Sequence, residues 1–223
     1  MNLRGVIFDL DGTLADTIPI CVEAFQRTLK AHSGPHLSRE EIEFLFGPTE
    51  EGMLRRVLPK YSPTALETYL TEYERLHTAA TVPFPGIAAL LDALQSRGIK
   101  LAVVTGKGAR SADISCRALG VRGYFTHIEA GSPNGIIKPA AIARVMGEWS
   151  LRPPEVAYIG DAPADIEAAR SAGVVSVGAA WAPAASPGLL QAARPDFLFL
   201  AVSDFASWVD DAVDEQPGTS VTK

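Results

Sequence analysis

The sequence predicts an α/β protein built on a parallel sheet, with a small all-helical domain inserted after the first strand. Three observations predict it. Short apolar runs rich in β-branched residues recur along the chain, bounded by glycine or charge, as in strands buried on both faces. Stretches with helix spacing separate these runs, and strand–helix–strand alternation makes a parallel sheet with right-handed crossovers. From Ala15 to Val82 the alternation stops and only helical patterns remain.

Val6-Ile7-Phe8 is the first strand. In the helical segment, Ile18, Val22, Phe25 and Leu29 form one apolar stripe, and Ser38-Arg39-Glu40-Glu41 is a capping box leading into Ile42 and Leu45. Met53, Leu54, Val57 and Leu58 form a second stripe, and Ser62-Pro63 starts a helix carrying Leu66, Leu70, Tyr73 and Leu76. Pro83-Phe84-Pro85-Gly86 returns the chain to the sheet. Ile87, Leu90, Leu91 and Leu94 repeat at helix spacing, with Gly98 placed to close that helix. Leu101 to Val104 is the second strand and Tyr124 to Ile128 a weaker third. A helix carrying Ile142, Val145, Met146 and Trp149 follows Pro139. Val156 to Ile159 is the fourth strand, and Ile166, Ala169 and Ala172 lie on a helix closed by Gly173. Val174 to Val177 is the fifth strand and Phe197 to Leu200 an edge strand. The expected division is a core of residues 1–14 and 83–213, an inserted domain of 15–82, and a flexible tail of 214–223.

Composition narrows the function classes. With 47% hydrophobic and 21% charged residues in 223, the chain is an ordinary globular one, and disordered or low-complexity classes drop out. Twenty Lys and Arg against 26 Asp and Glu leave a net charge of −6, which argues against a nucleic-acid binder. A small anionic substrate in a local positive pocket remains compatible with it. No apolar run is long enough to span a bilayer, and no leader of the signal-peptide kind is visible, so no membrane association and a cytoplasmic location are expected. Cys21 and Cys116 form no metal-ligand pattern and are expected to be reduced and buried, although the sequence alone leaves a pairing between them open. Monomer and homodimer are both open.

The chemistry-bearing residues follow the strands. The first strand ends in Asp9-Leu10-Asp11-Gly12-Thr13, and carboxylates at i and i+2 project to one side of an extended chain. In an open parallel sheet that end of the strands lines the ligand crevice. Two such carboxylates repel unless a proton or a divalent cation relieves them, and hard oxygen donors suit Mg²⁺. The competing reading is an ordinary Asp-Gly turn. After the second strand, Thr105-Gly106-Lys107-Gly108 offers a hydroxyl and backbone N–H groups to a phosphate, or is simply a glycine turn. Lys138 stands at a helix mouth before Pro139, where it could neutralise an anion or be solvated surface. Gly160-Asp161 ends the fourth strand, with Asp165 one helical turn later; Asp161 could equally be a helix N-cap. The bland readings would have to coincide four times, and would leave carboxylates crowded in one crevice.

Asp9-Leu10-Asp11-Gly12-Thr13, Thr105, Lys138 and Gly160-Asp161 with Asp165 together resemble the four motifs of the haloacid dehalogenase superfamily. The chain looks like its phosphatase branch with a helical cap, in the style of phosphoglycolate phosphatases, over about residues 3–205. The resemblance implies a Rossmann-like core and hydrolysis of a small phosphorylated metabolite. It implies Asp9 as nucleophile forming an aspartyl-phosphate and Asp11 as acid and base. It also implies Mg²⁺ bound by Asp9, the Asp11 carbonyl and Asp161. Thr105, Gly106 and Lys138 would bind the phosphoryl oxygens, and Asp165 would orient Lys138 or a metal-bound water.

Asp11 argues for phosphoryl transfer, because true dehalogenases of the family lack an acid there. Cys21 stands about where the family's sugar-phosphate mutases carry a histidine, and neither cap lysine, Lys30 or Lys60, matches a phosphonatase context. Pyrophosphatase and nucleotidase activities are the main rivals, and a silent module that binds a phosphorylated ligand is a more distant one. Three departures from the family pattern stand out: Gly106 after Thr105, Ala140 after Lys138-Pro139, and Ala162-Pro163 in the fourth motif. The cap loop 46–52 is expected to face the site, with Thr49, Glu50, Glu51 and Arg55 as candidates to reach substrate. Glu50 and Glu51 would also suit a solvated first helical turn.

Overall fold

The computed structural model describes residues 2–77 and 81–214, so the expected tail lies outside the described residues from 215 onward. Six strands form one parallel sheet: β1 (Gly5–Phe8), β2 (Lys100–Val104), β3 (His127–Glu129), β4 (Val156–Gly160), β5 (Val175–Ala179) and β6 (Phe197–Phe199). Their spatial order is β3-β2-β1-β4-β5-β6. The first strand therefore sits at the centre, and the order reverses between β1 and β4, where α/β sheets open a ligand crevice. The register sets Phe8 level with Val103 on one side and Ile159 on the other, so the residues after β1, β2 and β4 emerge at one height.

Alternation sends successive strand residues to opposite faces. Val6, Phe8, Leu101, Val103 and Ile159 pack with α5 (Ile87–Ser96), α6 (Ala109–Ala118) and α10 (Val202–Asp214). Ile7, Ala102, Val104 and Tyr158 pack on the other face with α7 (Lys138–Trp149) and α8 (Pro163–Ala172). The short α9 (Pro187–Ala192) lies beside α8 through Leu190 and Ile166. The third strand is shorter than the apolar pattern suggested: Arg122–Tyr124 is a 3-10 turn, and pairing with β2 begins only at His127. Cys21 and Cys116 are free and buried.

Between β1 and α5 the described chain makes four helices: α1 (Ile18–Ala31), α2 (Arg39–Glu43), α3 (Glu50–Val57) and α4 (Pro63–His77). They bury their own cluster, built on Val22, Phe25, Leu29, Ile42, Leu54, Tyr69 and Tyr73. The capping box at Ser38 is present, its hydroxyl accepting from Glu41 N while Glu41 accepts from Ser38 N. On α4 the buried line is Ala65, Tyr69, Leu70, Tyr73 and His77, and Leu66 and Leu76 flank it. Tyr73 and His77 turn that face toward α6, where Ser115 lies 2.8 Å from the Tyr73 hydroxyl and 3.1 Å from His77 Nε2. Among the described residues no helix is long and apolar enough to cross a membrane.

Candidate active site

The loop after β1 is held in place before any ligand enters. Asp9 N donates to Ile159 O at 2.8 Å, and Leu14 N to Leu10 O at 2.9 Å. Gly12 turns at φ +73°, and a Cβ there would lie 2.0 Å from Asp161 Oδ2. Only glycine lets the fourth-strand carboxylate come this close. A Cβ on Gly160 would likewise meet the Asp165 side chain at 2.3 Å.

Three carboxylates converge there: oxygens of Asp9, Asp161 and Asp165 lie within 4.8 Å of one another. Lys138, at the first turn of α7, is their cation, with Nζ 3.0 Å from Asp9 Oδ2 and 2.6 Å from Asp165 Oδ1. Asp165 is fully committed. The Tyr158 hydroxyl lies 3.1 Å from its Oδ1, and Ala162 N donates to its Oδ2 at 3.1 Å. Asp165 thus satisfies an N–H at the start of α8, and Asp161 is not the N-cap of that helix. Asp9 is different: its Oδ1 is buried and has no hydrogen-bond partner among the described residues.

The electrostatics follow from crowding in a dry place. Burial lifts the Asp9 carboxyl from 3.8 to about 7, Lys138 opposing this while Asp165 and Asp11 add to it. Asp161 is raised well above the ordinary carboxyl range, first by burial and then by Asp165 and Asp9. Burial works against the charge on Lys138, but Asp165 and Asp9 outweigh it and hold the ammonium. Three carboxylates against one cation, with one buried oxygen unpartnered, fit a hard divalent cation.

A second lysine, Lys107, pairs with Asp11. It follows β2 and is 6% exposed. Its Nζ is 3.2 Å from Asp11 Oδ1, donates to Cys21 Sγ at 2.9 Å, and sits 4.5 Å from the Tyr73 ring centroid. Asp11 Oδ1 also accepts from the Thr17 hydroxyl. Cys21, Thr17 and Tyr73 come from the helical segment, so the second carboxylate of β1's motif is held partly by that segment. Burial pushes the Cys21 thiol up to about 12, which keeps it protonated beside the lysine.

These groups line one cavity of about 320 Å³. Its wall from the helical segment is mostly apolar, with Ile18, Phe25, Phe46, Met53 and Tyr69, and Glu50 is its one charged member among the described residues. Glu50 reaches across to α6, accepting from Gly108 N at 2.9 Å and from the Ser111 hydroxyl at 2.6 Å.

A family model for haloacid dehalogenase-like hydrolases matches residues 6–179. The chain belongs to that family. This haloacid dehalogenase-like hydrolase is 30% identical over 216 residues to the phosphoglycolate phosphatase of Aquifex aeolicus, covering 96% of this chain and 100% of that one. It is 28% identical to the pyrophosphatase PpaX of Bacillus pumilus, covering 93% and 97%. The crystal structure of CbbY from Rhodobacter sphaeroides in complex with phosphate shares the fold, with a TM-score of 0.75 at 24% identity over 88% of this chain and 93% of that one.

Within this hydrolase the fold brings Asp9, Asp11, Thr105, Gly106, Lys138, Asp161 and Asp165 to the same cavity. Of the four cap candidates only Glu50 lines it. Thr49 is buried at the start of α3, its N–H donating to Ser132 O at 3.0 Å. Glu51 and Arg55 pair with each other at 2.7 Å, and Arg55 covers the Tyr61 ring, away from the cavity. Four groups near the carboxylates were not singled out from sequence: Thr17, Lys107, Tyr158 and Tyr73. Lys107 was within reach, standing two residues after Thr105 in the strand-end turn. The other three carry no local signal, since only tertiary folding aims them at Asp11, Asp165 and Lys107.

Proposed function

We propose that this hydrolase is a divalent-metal-dependent phosphatase that cleaves a small phosphate monoester, with Asp9 as nucleophile. The observation that carries this is the Asp9 carboxyl at the cavity, with one oxygen paired to Lys138 and the other buried and without a hydrogen-bond partner among the described residues. Asp9 forms a bond to phosphorus as the ester oxygen leaves with a proton from Asp11. Asp11 then takes a proton from water, whose oxygen displaces Asp9 and releases phosphate. Thr105, Gly106 and Lys138 hold the phosphoryl oxygens. Mg²⁺, held by Asp9, the Asp11 carbonyl and Asp161, would offset the repulsion between the nucleophile and the phosphate dianion. Because both oxygens of Asp165 are engaged by protein donors, its part is to position Lys138.

Residues 15–82 serve as the cap, covering the leaving group and excluding water. The cavity is at the small end of ligand pockets, which favours a small metabolite over a nucleotide. The PpaX relative raises pyrophosphate as a second substrate, but the mostly apolar cap wall offers little to a second phosphate. The test is phosphate release from phosphoglycolate, sugar phosphates, nucleotides and pyrophosphate, with Mg²⁺ and with chelator. Mg²⁺-dependent release from a small monoester is expected, and no release from any of them overturns the reading.

A further inference from the structure

The cavity has two ends of different character, and the phosphoryl chemistry uses only one. Among the described residues two cations line it, Lys138 and Lys107. Lys138 belongs to the Asp9–Asp165 cluster. Lys107 has no place in the steps above, yet it is buried at the boundary where the core meets α1 and α4. A buried ammonium is costly unless paired and hydrogen-bonded. Lys107 has one carboxylate, Asp11, which the chemistry also needs. Its other neighbours, the Cys21 sulfur and the ring and hydroxyl of Tyr73, are uncharged. The carboxylate that the helical segment brings to the cavity wall, Glu50, is spent on Gly108 N and the Ser111 hydroxyl. A cation so placed, beside a mostly apolar wall, is a recognition point for an anion on the substrate.

We propose that Lys107 anchors a carboxylate on the leaving group, so that the enzyme selects phosphate esters of small hydroxy acids. The assignment rests on the phosphatase reading above. A single lysine already shared with Asp11 matches a monoanion better than a second phosphate, and the apolar residues beside it suit a short carbon skeleton better than a polyhydroxylated one. Selection follows because a leaving group with no charge leaves the lysine without that partner.

The experiment compares kcat/KM for phosphoglycolate, 2-hydroxyethyl phosphate and pyrophosphate in the wild type and in Lys107→Met and Lys107→Arg. The wild type is expected to favour phosphoglycolate over 2-hydroxyethyl phosphate by roughly 10–100-fold, the range of a hydrogen-bonded charge contact. Lys107→Met should collapse that ratio toward one, mainly through KM of the acid, and Lys107→Arg should keep most of it. Equal losses on both esters would mean that Lys107 acts only through Asp11, and would overturn the assignment. A wild-type ratio near one, or pyrophosphate as the preferred substrate, overturns it without any variant. Mg²⁺-dependent turnover of 2-hydroxyethyl phosphate with no preference for the acid would leave the phosphatase reading standing while this assignment falls.

Discussion

The two lysines of the cavity, Lys107 buried and Lys138 half-buried, make a useful pair. Lys138 sits among carboxylates supplied entirely by strand ends and helix starts of the core. Lys107 sits between one core carboxylate, Asp11, and two groups from the helical segment, Cys21 and Tyr73, while Thr17 of that segment donates to the same Asp11. The first environment is over-supplied with negative charge, the second is nearly neutral and soft. On the proposed reading, surplus negative charge holds the metal cation that offsets the anionic phosphoryl group, and the softer wall discriminates between leaving groups. The same fold keeps these tasks at different lysines.

The most severe way to break the first side is Asp9→Asn. Turnover should fall by roughly 10⁴-fold or more, as when a covalent nucleophile is removed. The same variant should be more stable than wild type in metal-free buffer. With its carboxyl raised to about 7, native Asp9 holds its proton more tightly than the unfolded chain does between about pH 4 and 7. Wild-type stability therefore drops as pH rises through that window, and Asp9→Asn should lack the drop. At pH 8 the gain should be on the order of 2–4 kcal/mol, read from urea melts. No gain would show that Lys138 alone neutralises the site.

Lys138→Met comes next. Loss of one oxyanion-stabilising group should cost roughly 10²–10³-fold in kcat. It should also lower metal-free stability by roughly 3–5 kcal/mol, the range for a buried charge stripped of its partner, because Asp9 and Asp165 lose their only cation among the described residues. Lys107→Met should cost less in kcat and act instead on the choice of substrate, and a reversal of that ranking would undo the contrast between the two lysines.

How much of this was legible in the sequence follows the same line. The core side was readable because a parallel sheet fixes where strand ends point: Asp9, Thr105 and Asp161 needed only the positions of β1, β2 and β4. The cap side was not, because helices pack by shape and no local rule says which residue of a helix faces a neighbour. Glu51 and Arg55 looked equivalent to Glu50, yet one helical face turns Glu50 inward to α6 and the next pairs Glu51 with Arg55 in solvent. Lys107 stands in a turn whose sequence signal is its backbone, and its side chain carries no local signal because its partners lie 86 and 34 residues back along the chain. The apolar pattern starts the third strand early because Tyr124 and Phe125 are apolar, though they pack against the core and do not pair with β2.

Glu50 tests whether the cap side depends on docking. Its carboxylate joins α3 to Gly108 N and Ser111 of α6. Glu50→Ala strands the Gly108 N–H at a helix start and leaves the Ser111 hydroxyl only Gly108 O as acceptor, which should cost roughly 1–3 kcal/mol. If this contact holds the cap over the site, KM should rise several-fold while turnover at saturation stays closer to wild type. Equal falls in kcat and kcat/KM, with KM unchanged, would place Glu50 among the groups that act on the reaction itself.

The smallest effect sought is a pH dependence confined to the Lys107 side. His77 is buried against Tyr73 and Ser115, with Nδ1 3.1 Å from the Thr81 hydroxyl. Burial, helped by Lys107 and opposed by Asp11, lowers it from 6.5 to about 4. The unfolded chain therefore binds the extra proton more readily between those values. That contribution to stability is intact above about pH 6.5 and is lost as pH falls toward 4. His77→Gln should flatten this part of the profile by on the order of 2 kcal/mol, measured as the midpoint of urea unfolding from pH 7 to 4.5. The slope from the carboxylate cluster runs the other way in the same window, since Asp9 gains its proton there. A variant pair, His77→Gln and Asp9→Asn, should therefore move the two components separately. Coincident changes in both variants would mean that the two lysine environments titrate as one unit, and the separation of chemistry from recognition would fail at its electrostatic root.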